Sequence, residues 1–192
     1  MNKSTDLVGG LFTRNLLERP MPRLKWTDRQ FNFNFPVELY PEMIERVRGA
    51  CARLDEYLNS ASPEILTARH NGSWSIQENA AHLFDLDALT IDRIKQYVAG
   101  VEILRPADIT NKATSEANYN SVSAATISQS FRQRRTEVVK LLESLDPEMF
   151  ARSAIHPRLN IPMRLVDFVF FEAEHDDYHF TRIHELLTLL GD

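Results

Sequence analysis

Residues 161–190 read IPMRLVDFVFFEAEHDDYHFTRIHELLTLL. Within this stretch Ile161, Leu165, Phe168, Glu172, His175, His179, Ile183, Leu186 and Leu190 recur at steps of three and four. That spacing predicts a helix with one buried face. Asn160 is read as its N-cap, Pro162 as a first-turn residue and Gly191 as its stop. Three polar side chains, Glu172, His175 and His179, interrupt the apolar face at its middle. Each would cost about 1–3 kcal/mol if buried without a partner. A sequence with no use for them would carry leucine there.

His175 and His179 are four residues apart, so their imidazoles lie one turn apart on one helix face. Two imidazoles at that spacing can share one metal ion, as in HExxH helices. Here the intervening residues are Asp176, Asp177 and Tyr178, so the glutamate of that motif is missing. Alone, the pair is a weak signal, and two hydrogen-bonded core histidines are the plainer reading. A second helix, Ser75 to Ala99, supplies more. Ile76, Leu83, Leu86, Thr90, Ile94 and Tyr97 lie on or near one stripe of it, and His82 lies among them. Three histidines with an open fourth position form the catalytic rather than the structural pattern for zinc. His70 and His156 are read as loop residues and His184 as lying off the inward stripe.

Two further helices complete the pattern. One runs from Pro36 to Leu58, with Ile44, Val47, Cys51, Leu54 and Leu58 inward. The other runs from Val122 to Leu145, with Ile127, Phe131, Val138, Leu141 and Leu145 inward. No strand signal has comparable strength, so the expected fold is all-α, a four-helix bundle. Residues 100–121 form the longest connection, between the second and third helices. It is long enough to cross the bundle and permits an up-down-down-up order without requiring it. Residues 1–34 contain Gly9, Gly10, Pro20 and Pro22 and show no sustained period. They are read as a mostly irregular N-terminal extension, with the bundle domain spanning 35–192. Phe31, Phe33 and Phe35 suggest an extended arm that packs its aromatics.

Composition narrows the function. The chain of 192 residues is 43% hydrophobic and 26% charged, with a formal net charge of -5. An acidic balance argues against nucleic acid as a partner. The single cysteine, Cys51, allows no intrachain disulfide and fits a reducing compartment. No apolar run approaches the ~20 residues of a membrane span. Cytoplasmic location, a small-molecule substrate and homodimerisation through a helix face or the N-terminal arm are the expectations.

Three motifs then combine. They are Trp74-Ser75-x-x-Glu78-x-x-x-His82, His156-Pro157 before the last helix, and His175-Asp176-x-x-His179. Over residues 35–190 the chain resembles the DinB/YfiT-like superfamily of metal-binding four-helix bundles. The resemblance implies an up-down-down-up bundle in which His82, His175 and His179 hold nickel or zinc. It also implies thiol-dependent chemistry with a low-molecular-weight thiol such as bacillithiol or mycothiol, of S-transferase, isomerase or hydrolase type. The expected function is a metal-dependent enzyme that activates a thiol or water. The alternative is a non-catalytic metal-binding bundle acting as a stress-related binding module.

Other residues carry two readings each. Glu78 could serve as a catalytic base, or close a capping box with Ser75. Glu172 could orient a ligand imidazole or pair with an arginine such as Arg134. Asp85, Asp87, Asp176 and Asp177 are read as solvated or paired charges. Asn118, Tyr119 and Asn120 could line the pocket mouth or simply form a turn. Arg132, Arg134 and Arg135 could meet an anionic substrate but fit a surface salt-bridge face better. Trp74 is read as a packing residue and Cys51 as a buried core thiol, not a nucleophile.

Overall fold

The computed structural model describes residues 23–191. The readings made for residues 1–22 lie outside the described residues. The chain divides between Gln30 and Phe31. Before that point a short 3-10 turn, Trp26–Asp28, is followed by Arg29, whose guanidinium lies 5.8 Å from the Trp26 ring.

From Phe31 onward, among the described residues, four long helices dominate. They are α1 (Tyr40–Asn59), α3 (Ile76–Ala99), α5 (Ala124–Glu143) and α6 (Leu165–Leu190). Two five-residue helices, α2 (Pro63–Thr67) and α4 (Lys112–Glu116), lie in the connections. Local chemistry sets the ends of α3. Ser75 Oγ accepts the Glu78 backbone N–H at 3.1 Å, and Glu78 Oε2 accepts the Ser75 N–H at 2.9 Å. This is the capping box read from the sequence. Gly100, at φ 71°, ends the helix in a left-handed turn that glycine adopts without steric cost.

α1 and α3 each pack against both α5 and α6. Leu54, Ile76, Leu83, Phe131 and Ile183 are fully enclosed between them. Each such side chain stabilises the fold by about 1.5–3 kcal/mol. Cross-helix pairs fix the register. On α1, Arg46 bonds Glu174 and Asp177, and Tyr57 packs on Phe180, 5.9 Å away. Gln77, near the start of α3, donates to the carbonyls of Tyr119 and Val122, while Asp87 accepts from Arg135. On the other face of α3, Asn79 meets His179, Thr90 meets Glu172 and Tyr97 packs on Phe168. Phe31, Phe33 and Phe35 place their rings against Phe171 and Phe170 at 5.0–6.2 Å, so this arm packs its aromatics. Cys51 lies in the core beside Leu54, and burial pushes its thiol pKa up.

The all-α expectation needs one correction. Ser153–His156 (β1) and Ile161–Arg164 (β2) form an antiparallel hairpin, with His156 opposite Ile161 and Ser153 opposite Arg164. The last helix therefore starts at Leu165, not Ile161. Asn160 is not its N-cap; at φ 53° it turns the hairpin. Pro162, which has no N–H, sits on an edge strand, where proline is tolerated. Non-local bonds explain why these residues extend. The Ile155 N–H donates to the Glu102 carbonyl at 2.8 Å and the Leu104 N–H donates to the Ile155 carbonyl at 3.0 Å. Tyr97 Oη donates to the Met163 carbonyl at 3.0 Å and pins the hairpin to α3. α6 then opens with Asp167 Oδ2 accepting the Arg164 N–H at 2.8 Å.

Candidate metal centre

α3 presents His82, and α6 presents His175 and His179 one turn apart. All three side chains are buried. One nitrogen from each lies within 4.8 Å of the others. The ring centroids are 4.6 Å apart for His175 and His179, 4.8 Å for His82 and His179, and 5.5 Å for His82 and His175. The Trp74 ring covers the cluster, 4.9 Å from His82 and 6.4 Å from His179.

Outer partners set the proton positions. Thr114 Oγ1 donates to Asp85 Oδ2 at 2.6 Å, which leaves its oxygen to accept from His82 Nδ1 at 3.1 Å. Asn79 Nδ2 donates to the Ser75 carbonyl at 2.8 Å, which turns Oδ1 toward His179 Nδ1 at 3.0 Å. Both imidazoles thus donate from Nδ1, as the network assigns it, which turns Nε2 away from these partners. Such outer hydrogen bonds fix the tautomer and ring angle of metal-ligating histidines. Burial supplies the second requirement. It lowers the His82 pKa to about 4. It also drives that of His175 well below the ordinary value, with His82, Arg135 and Arg158 adding to the effect. Both rings are neutral at neutral pH and have lone pairs to give.

Two predictions follow from this shell. Asn79→Ala removes the acceptor from His179 Nδ1 and is expected to weaken zinc binding by about 10–100-fold, read by competition with a chromophoric chelator. His82, with its pKa lowered to about 4, is mostly neutral at pH 5 and above. Its imidazole resonances should therefore stay fixed from pH 7.5 to 5, through the ordinary midpoint near ~6.5, in the metal-free protein. Titration centred near 6.5 would contradict the geometry.

The other sequence candidates separate clearly. Glu78 is buried and closes the capping box, and Arg69 binds both its oxygens. Burial works to raise its pKa, but the Arg69 and Ser75 hydrogen bonds and the Arg69 charge outweigh it and the pKa falls. Glu172 accepts from Thr90 Oγ1 at 2.7 Å, not from Arg134, which stacks over Phe84. Asp85 is tied to Thr114 and to Tyr119, whose hydroxyl donates to it at 2.5 Å. Asn120 accepts from Ser75 Oγ at 2.7 Å. Asn118, at φ 49°, turns the chain. Asp177 pairs with Arg46 and Arg53 at the surface of α6.

Two readings are corrected. Arg135 is not part of a surface face. It is buried between Asp87 and Asp176, donating Nε to Asp87 at 3.0 Å and both terminal nitrogens to Asp176 at 2.5 and 3.0 Å. His156 is not a loop residue: it ends β1, and only 2% of its surface is accessible. The sequence carried a signal for the first. Asp87 falls on the stripe Leu83-Asp87-Thr90-Ile94-Tyr97, and Arg135 on Phe131-Arg135-Val138. Asn79 and Thr114, the outer partners of the histidines, were not singled out. Asn79 lies one turn before His82 on α3, but Thr114 comes from the crossover, which no periodicity addresses.

Fold and cluster together define a helical bundle whose interior brings together three histidines that could hold a metal ion. The chain belongs to the DinB superfamily, whose family model matches residues 45–183. Among solved structures it is similar to YfiT from Bacillus subtilis, described as a probable metal-dependent hydrolase with an unusual four-helix bundle topology. That match has a TM-score of 0.73 at 20% identity and covers 85% of this chain and 94% of the other. It is also similar to the mycothiol-dependent maleylpyruvate isomerase, with a TM-score of 0.61 at 9% identity, covering 77% of this chain and 60% of the isomerase. At such identities the likeness shows a common fold. No match is found among curated proteins. Among the described residues no helix is long and apolar enough to cross a membrane.

Proposed function

We propose that this protein is a metal-dependent enzyme of thiol S-transferase or hydrolase type, acting on a small-molecule substrate. The observation that carries it is the buried cluster of His82, His175 and His179, with the Nδ1 atoms of two of them held by outer partners. Three imidazoles suit zinc or nickel, and among the described residues the group contains no fourth. A divalent ion bound there would supply Lewis acidity, lowering the pKa of a water or a low-molecular-weight thiol that reaches it. The chain's own residues would hold and orient. Asn79 and Thr114 fix the imidazole angles, Trp74 shields one side, and the Asp87–Arg135–Asp176 set fixes the rotation of α6. Glu78 is assigned to capping rather than to proton transfer.

Further parts of the reading rest on the same site. The helices run up-down-down-up. This is supported by the pairing of Gln77 with Val122 and Asp87 with Arg135, and of Asn79 with His179 and Thr90 with Glu172. The bundle domain spans 35–192, and the protein works in the cytoplasm as a homodimer.

Elemental analysis of the purified protein is expected to find about one zinc or nickel per chain. A thiol-transfer assay with an activated electrophile should give turnover that a chelator removes and the metal restores. Metal without thiol or hydrolytic turnover would favour a non-catalytic bundle. Absence of any divalent metal would overturn the reading.

A further inference from the structure

His156 stands out beside the metal centre. Its Nδ1 accepts the Leu159 backbone N–H at 3.2 Å, so the neutral ring carries its proton on Nε2. That Nε2 is buried and has no hydrogen-bond partner. A buried donor without an acceptor is uncommon and costs about 1–3 kcal/mol. The hairpin holds the ring there, with the Asn160 N–H bonded to the His156 carbonyl at 2.8 Å.

The surroundings are positive. The His156 ring lies 5.0 Å from Phe171, and the Arg158 guanidinium lies 5.4 Å from the same ring. Arg93 is buried, donates Nε to the Arg105 carbonyl at 2.9 Å and lies 5.8 Å from Phe168, one turn earlier on α6. Burial lowers the His156 pKa to about 3, and the charges acting on it in the same direction are Arg93 and Arg158. Phe171 precedes His175 by four residues, which is about 6 Å along the helix. The cluster thus adjoins the three histidines along α6.

We propose that His156 Nε2–H, flanked by Arg158 and Arg93, binds a carboxylate of the small-molecule substrate next to the metal centre. This deepens the proposed function and rests on it. The free donor needs an acceptor, and the two guanidiniums favour a negative one. A monoanion fits better than a dianionic phosphate, because the cost of transferring an ion into a buried site rises steeply with its charge. A carboxylate held there is a fixed point about one helical turn from His175, so the substrate's reacting atom can be oriented toward the histidines.

The test uses the zinc-loaded full chain labelled with nitrogen-15. Acetate, neutral acetamide and inorganic phosphate are titrated while the His156 Nε2–H resonance is followed, assigned by its loss in His156→Gln. Acetate is expected to give a saturable shift that acetamide does not. Arg158→Gln, at a half-buried position, should weaken acetate by at least about ten-fold and leave the fold intact. No saturable shift, equal behaviour of acetate and acetamide, or an undiminished response in Arg158→Gln would overturn the proposal and indicate a bound water only. Tighter binding of phosphate than of acetate would overturn the carboxylate assignment. Zinc stoichiometry is measured separately by calorimetry. Zinc binding without an acetate response sinks this inference alone, and an acetate response without zinc binding sinks the metal reading alone.

Discussion

Arg135→Met is expected to cost about 3–5 kcal/mol of unfolding free energy, among the largest effects of any single substitution in this chain. Arg135 is 3% exposed and faces two carboxylates, Asp87 and Asp176, each 2% exposed. Burial already raises the Asp87 pKa to about 7, with the Asp176 charge adding to the rise while Arg135 opposes it. Methionine fills much of the same volume but leaves two acids facing one another in an apolar interior. Denaturant unfolding measures the loss, and the thermal midpoint should fall by about 6–20 °C. Neutralising one acid in the same background, as Arg135→Met with Asp87→Asn, should recover part of it, because the like-charge repulsion is then gone. A loss under about 1 kcal/mol would show that the triad contributes little.

His179→Ala is the second. It removes one of the three imidazoles, and the effect on zinc affinity should exceed the ~10–100-fold expected from losing an outer partner. Metal binding to the folded state alone stabilises it by about 4 kcal/mol when free metal is 1,000 times the dissociation constant. Zinc is therefore expected to raise the unfolding midpoint of the wild-type protein and to leave that of His179→Ala nearly unmoved. The substitution also removes a buried ring and leaves Asn79 Oδ1 without its partner, so the metal-free variant should itself unfold earlier, and the zinc-dependent rise within each protein is the quantity compared. A variant that kept the full zinc-dependent rise would remove His179 from the donor set.

The helical frame was legible because each long helix carries one apolar stripe. Ile44-Val47-Cys51-Leu54-Leu58 on α1 is buried throughout, as the spacing predicts. On α5 the stripe shifts by one position, with Leu142 rather than Leu141 inward. The three histidines were legible for the same reason, since they interrupt such stripes on α3 and α6. The hairpin was not. Its strands are four residues each, and they extend because main-chain bonds reach β1 from Glu102 and Leu104, some fifty residues earlier. No local pattern encodes such a partner. His156 was misread with it, because burial of a strand-end residue depends on what the hairpin docks against. Arg135 was misread differently. Its place on the stripe was visible, but a charge on an apolar stripe makes sense only once two acids from two other helices are brought to it.

Cys51 bears on how the chemistry can be measured. It is the only cysteine in the chain, and it sits in the core with its thiol pKa raised by burial. The folded protein therefore contributes almost no thiolate of its own. A colorimetric count of sulfhydryl groups in a reaction mixture reads added thiol against a nearly silent background. Alkylation of Cys51 becomes appreciable only when the bundle opens, so one label serves as a clock for unfolding while the assay runs.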